Sequence, residues 1–155
     1  MRRFEGRTIL ITGAARGQGA SHARAFVSEG ARVVLGDIRE ALGRTLADEL
    51  GAAAHFVALD VARVADWAAA VDEAERRFGP ISILVNNAGV PAPSATIVDS
   101  DPADWDQLIA TNLTGTYLGI RAVAPSIMRA GGGSIVKIAS ASSHIGTPLI
   151  APYVA

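Results

Sequence analysis

Five short runs of β-branched and apolar residues punctuate this chain, and the stretches between them have the make-up of helices. The runs are Thr8–Thr12 (TILIT), Arg32–Leu35 (RVVL), His55–Leu59 (HFVAL), Ile81–Val85 (ISILV) and Ser134–Ile138 (SIVKI). Several are apolar almost without a break. A strand wetted on one face shows a polar residue at every second position, so unbroken runs point to strands covered on both faces, as in a parallel sheet. From Gln18 to Glu29, the apolar residues Ala20, Ala23, Phe26 and Val27 recur at helical spacing, and Gly30 stops the pattern. Glu40 to Leu50 closes at Gly51, and Arg63 to Phe78 closes at Gly79-Pro80. Asp101-Pro102 reads as the N-cap and first residue of a helix predicted to reach about Ala130, bent locally at Pro125. Strand–helix alternation over five strands predicts an α/β fold, a doubly wound parallel sheet with right-handed crossovers.

No repeat and no linker divides the 155 residues, so a single domain over 1–155 is expected. The chain has no Cys, which removes disulfides, thiolate metal sites and Cys nucleophiles together. Fourteen basic against fifteen acidic residues give a net charge of −1, against a nucleic-acid footprint or a basic membrane anchor. Mean hydropathy is +0.30, yet no apolar run approaches the roughly 18 residues of a spanning helix. Met1 to Arg7 puts charges and Gly where a signal peptide needs its apolar stretch, so a cytoplasmic protein without a membrane partner is expected. His22, His55 and His144 share no ligand spacing, and no metal site is expected; His144 is a candidate for lining a pocket. Trp67 and Trp105 read as packing residues, and Lys137 as a solvated strand residue.

Directly after the first run come Thr12-Gly13-Ala14-Ala15-Arg16-Gly17-Gln18-Gly19 and then a helix. Glycines in a strand-to-helix turn let the backbone turn tightly and let a diphosphate approach the helix N-terminus. Gly13, Arg16, Gly17, Gln18 and Gly19 are therefore candidate cofactor-binding residues. Asp37 follows Gly17 by 20 residues, at the end of the second run, where a carboxylate receives the hydroxyls of an adenosine ribose. Ile38 lies beside it. A carboxylate there repels a 2′-phosphate, so NAD is expected over NADP, although Arg16 and Arg39 stand near enough in sequence to accept that phosphate.

Asp60-Val61, Asn86-Asn87-Ala88-Gly89, Asn112 in Thr111-Asn112-Leu113-Thr114-Gly115, and Ser140 with Tyr153 complete a set. In this order and at these spacings, with the glycine loop, the chain from Gly6 onward resembles the short-chain dehydrogenase/reductase family. The resemblance implies a Rossmann-type sheet, of which these would be the first five strands of seven. It implies an NAD(P)-dependent oxidoreductase moving hydride between a nicotinamide cofactor and a ketone or secondary alcohol. Asp60 and Val61 would meet the adenine, and Asn86, Ala88 and Gly89 would border the cofactor, with the Asn side chains bracing backbone. Tyr153 would exchange a proton with the substrate oxygen, Ser140 would hydrogen-bond it ahead of its rivals Ser142 and Ser143, and Asn112 would hold a water in a proton relay.

Tyrosine's ordinary pKa of about 10 is some three units too high for this work. The family lowers it with a Lys four residues on, and that position falls two residues past Ala155. The expectation is thus an enzyme by family whose 155 residues are poorly active, with a non-catalytic dinucleotide-binding fragment as the alternative. A flavodoxin-like phosphate binder shares the alternation but does not account for Asn112, Ser140 and Tyr153 together. A homo-oligomer, dimer or tetramer, is implied for the longer form, and uncovered apolar surface for this chain. Ile145, Leu149 and Ile150 are expected to form an apolar wall of the substrate pocket.

Overall fold

The apolar runs become the strands of one parallel sheet. In the computed structural model, which describes residues 2–155, these are β1 (Thr8–Thr12), β2 (Arg32–Asp37), β3 (Ala54–Ala58), β4 (Ile81–Asn86) and β5 (Ser134–Lys137). Their order is β3-β2-β1-β4-β5, and every neighbouring pair is parallel. The order reverses between β1 and β4, the switch point at which open α/β sheets bind ligands beyond their C-terminal edge. The strands therefore already mark where a site belongs.

Alternate residues of β1 feed two cores. Ile9 and Ile11 face Val33, Leu35 and Val85 under α1 (Gly17–Ser28) and α2 (Glu40–Leu50), which contribute Ala20, Ala23 and Leu46. Leu10 faces Val34 and Leu84 on the other side, under α3 (Val64–Phe78) and α5 (Gly115–Arg129), which contribute Trp67, Ala70, Leu118 and Val123. Trp67 is fully buried, as expected, and its indole N–H donates to the Val61 carbonyl at 2.8 Å. Trp105 departs from expectation and stays 42% exposed on α4 (Pro102–Leu108). Asp101 caps α4, accepting the Ala103 N–H at 2.9 Å, with Pro102 in the first turn.

Two departures from the expected elements have physical causes. β5 is exposed along its whole length, with Ile135 and Val136 near two-fifths exposed, because little helix packs over it, whereas the other outer strand, β3, is covered by α2 and α3. The long helix after Asp101 is helical as far as Arg129, but its irregularity falls at Ile109–Thr114, a π-helical stretch, and Pro125 lies within regular α5.

At the opposite end of the sheet a polar staple joins α3, α5 and β4. The fully buried Ser126 accepts the Ile81 N–H at 2.8 Å and donates to Glu75, which also receives Arg129. The Ser126 hydroxyl holds the Glu75 carboxyl below the usual carboxylate range; burial opposes it, and the Arg129 guanidinium adds a lesser lowering.

Candidate functional site

The turn after β1 carries glycine at two positions, Gly13 and Gly19, where neighbouring backbone leaves no room for a side chain. A Cβ on Gly13, whose φ is +62°, would lie 2.9 Å from the Ala88 Cα. A Cβ on Gly19 would lie 2.2 Å from the Gly13 carbonyl. The loop is held from three directions. The Asn87 amide donates to the carbonyls of Thr12 (2.8 Å) and Gly13 (3.1 Å). The Thr12 hydroxyl accepts the N–H groups of Asn87 and Ala88, both at 3.0 Å. Asp37 accepts the Ala15 N–H at 2.9 Å through one carboxylate oxygen and the Arg39 N–H at 2.9 Å through the other.

Asp37 therefore anchors the glycine loop as well as ending β2. Each of its oxygens keeps a lone pair for a further donor. Arg16, the N-cap of α1, gives that helix no side-chain cap, and its first turn carries no acidic residue. Uncapped N–H groups at the start of a 12-residue helix, entered through a glycine-bearing turn, fit a diphosphate. The residues present thus fit a dinucleotide cofactor at the turn that carries Gly13, Arg16, Gly17, Gln18 and Gly19. Ile38, 70% exposed, stands beyond Asp37. Asp60 turns the chain after β3 by accepting the Ala62 N–H at 2.9 Å, and Val61 is buried beside it.

A cavity of about 560 Å³ opens past β4 and β5. It brings together Gln18, Ala88, Gly89, Asn112, Ser140 and Tyr153. Ser143 also lines it, while Ser142 does not. The other sequence-predicted cofactor residues, Gly13, Arg16, Gly17, Gly19, Asp37, Ile38, Asp60, Val61 and Asn86, lie outside its lining. Of the paired asparagines, Asn87 braces the glycine loop, whereas the buried Asn86 turns its amide toward the Thr116 carbonyl of α5 at 3.5 Å.

The π-helical stretch presents Asn112 to the backbone of Val90. Its side-chain oxygen accepts the Val90 N–H and its amide donates to the Val90 carbonyl, both at 2.9 Å. The side chain is thereby occupied by backbone. The Asn112 carbonyl accepts the Thr116 hydroxyl at 2.9 Å. Ser140 caps a short 3₁₀ turn, its oxygen accepting the Ser142 N–H at 3.2 Å, which leaves its hydroxyl proton free. Tyr153 sits in α6 (Ala151–Val154), its N–H donating to the Ile150 carbonyl at 2.9 Å.

The expected apolar wall is elsewhere. Ile145, Leu149 and Ile150 do not line the cavity, nor does His144; Val90, Pro91, Leu108, Ile109, Leu113 and Val154 do. Leu149 instead has φ of +66°, the left-handed region, which costs a branched side chain about 1–2 kcal/mol. That backbone aims its carbonyl at the Ala95 N–H, 2.9 Å away.

Sequence reasoning passed over two further contributors. Lys137 is exposed yet lines the cavity, as does Ile138 after it, and it is the one Lys of the chain. Thr12 is a polar residue at the end of a buried strand, and that mismatch was its available signal. Among the described residues no group of three His, Cys, Asp or Glu side chains is placed to hold a metal, and no helix is long and apolar enough to cross a membrane.

The chain is 48% identical over 145 residues to the 3-alpha-(or 20-beta)-hydroxysteroid dehydrogenase of Mycobacterium bovis, covering 94% of this chain and 55% of that protein. It is 42% identical to the trans-4-hydroxycyclohexanecarboxylate dehydrogenase of Sinomonas cyclohexanicum, covering 96% of this chain and 60% of that one. The chain thus spans little more than half the length of the curated relatives it matches. A 3-ketoacyl-(acyl-carrier-protein) reductase from Brucella melitensis, solved with NADH, superposes with a TM-score of 0.92 at 35% identity, covering 97% of this chain and 64% of that one. A gluconate 5-dehydrogenase from Burkholderia cenocepacia, solved with NADP and tartrate, gives 0.89 at 41% identity, covering 99% and 61%. The short chain dehydrogenase family profile matches residues 7–155, over the same sheet, glycine loop and cavity, and the chain belongs to that family.

Proposed function

We propose that this chain carries the cofactor cradle and the proton-transfer hydroxyls of an oxidoreductase that interconverts a ketone and a secondary alcohol. One observation carries the reading: Ser140 and Tyr153 share a cavity with Gln18, Ala88 and Gly89 at the switch point of the sheet. The nicotinamide ring, when bound, supplies or accepts the hydride. The chain's own residues hold and answer the substrate. The free Ser140 proton hydrogen-bonds the substrate oxygen as charge gathers there, and Tyr153 gives that oxygen its proton or takes it away. Asn112, through Val90, fixes the wall of the cavity beside them. Val90, Pro91, Ile109 and Leu113 make much of that wall apolar, which suits a substrate with a hydrocarbon body, such as the alicyclic alcohols in the names of two relatives.

NAD(H) is the preferred cofactor on this reading, because the Asp37 carboxylate ends β2 where a 2′-phosphate would lie. The two solved relatives carry NADH and NADP respectively, so the preference rests on Asp37. The working unit is a homo-oligomer in the cytoplasm. Trp105, Tyr117, Ile120 and Met128 form an exposed apolar stripe along α4 and α5 that a second copy covers.

The test is direct. NADH and NADPH are titrated by fluorescence, and oxidation of each is followed with a panel of alicyclic and linear ketones. Tight NADH binding with turnover of a ketone, even slow, supports the proposal. Binding without turnover supports a dinucleotide-binding module instead, and no binding of either dinucleotide overturns both.

A further inference from the structure

Two irregular segments adjoin cavity-lining residues: residues 90–100, between β4 and α4, whose Val90 and Pro91 line it, and residues 144–150, which run from the lining Ser143 toward Pro152 in α6. The first is tied at its start by the Asn112 side chain, which bonds both backbone groups of Val90. Five residues later it is tied again, by the Ala95 N–H donating to the Leu149 carbonyl at 2.9 Å. Leu149 is the one non-glycine residue at positive φ among the described residues, and its side chain is half exposed. The strained backbone thus gains no burial for the side chain; what it produces is the direction of one carbonyl. The next residue, Ile150, is the N-cap of α6, and its carbonyl receives the N–H groups of Tyr153 and Val154. One left-handed residue therefore couples the segment that begins at Val90 to the helix turn that carries Tyr153.

We infer that Leu149 is a positioning residue: its left-handed backbone latches residues 90–95 to the start of α6 and so sets where the Tyr153 hydroxyl stands. This deepens the proposed hydride-transfer reading and rests on it for its catalytic consequence, while the latch itself does not. A residue acting only through its side chain would behave in the opposite way, because glycine would abolish its effect and valine would keep most of it. For a latch made by backbone geometry, glycine and asparagine tolerate the left-handed region and a β-branched residue does not.

Amide hydrogen exchange is measured residue by residue on the full chain and on Leu149→Gly, Leu149→Asn and Leu149→Val. In Leu149→Val the Ala95 and Tyr153 amides are expected to exchange at least about tenfold faster, while the β1 and β4 amides keep their protection. Leu149→Gly and Leu149→Asn are expected to keep Ala95 and Tyr153 protected. Equal exchange at both amides in all four proteins overturns the latch, as does loss of protection in the glycine variant alone. In parallel, where the chain reduces a ketone, kcat falls about tenfold in Leu149→Val with KM for NADH within about twofold, and the asparagine variant recovers kcat. A valine variant that raises only the cofactor KM overturns the positioning role. If no ketone is turned over by the unaltered chain, the functional reading fails, and the exchange data still decide the latch.

Discussion

At the scale of single residues, the site depends on a few polar side chains that grip backbone. Asp37 holds the Ala15 N–H with one oxygen and the Arg39 N–H with the other, and would meet the cofactor ribose with what remains. Replacing it removes charge-assisted bonds worth about 1.5–3 kcal/mol. Asp37→Ala is therefore expected to weaken NADH binding by roughly tenfold to a hundredfold and to narrow its margin over NADPH, read by fluorescence titration. Asp37→Asn keeps the shape and removes the charge, so it should move the NADH-to-NADPH ratio while disturbing the loop less. An unaltered chain that prefers NADPH would contradict this reading of Asp37. Thr12→Val deletes the acceptor shared by the Asn87 and Ala88 N–H groups. Leaving two partly buried donors unpaired should cost about 1–3 kcal/mol, seen as a lower urea midpoint with an unchanged slope.

At the scale of elements, the Glu75–Ser126–Arg129 staple gives a pH dependence with a definite sign. The folded state lowers the Glu75 carboxyl relative to its unfolded value, so the stabilisation is present above the ordinary carboxylate range near pH 4.3 and is lost as pH falls through the folded value. Glu75→Gln should lower the urea midpoint at pH 7, and the gap between variant and parent should shrink by pH 3.5. A gap of constant size would show that the carboxylate's charge does not matter. The elements were legible in the sequence where one rule dominated. The unbroken apolar character of TILIT could be read as a fully covered central strand, and Asp101-Pro102 could be read as a helix start, because each depends on local chemistry alone. The exposure of SIVKI could not be read that way, because its composition matches the covered strands and what differs is how little helix packs over it. The π-helical stretch was hidden too: IATNLT is ordinary helix sequence, and what widens there carries Asn112, whose amide is fastened to Val90 far away in sequence. The apolar wall was misplaced for the same reason. Leu149 is apolar, but a positive φ turns its carbonyl, not its side chain, to use.

At the scale of the whole molecule, the exposed stripe on α4 and α5 concerns association. If a second copy covers it, Tyr117→Glu combined with Met128→Lys should shift sedimentation toward the monomer and leave dinucleotide binding in place. An unchanged sedimentation profile would remove that face from the interface. The sheet order carries a different consequence, one for the making of the protein. The first strand synthesised stands at the centre, with β2 on one side and β4 on the other. Its β2 neighbour follows within a few dozen residues, so β1, β2 and β3 can pair while the chain is still growing. The other side of β1 waits until Ile81–Asn86 has been made. Through that interval an apolar strand has an open edge, able to template pairing with the wrong chain. The strand that organises the finished sheet thus waits longest for its second neighbour, and the speed with which residues 13–86 leave the ribosome sets how long it waits.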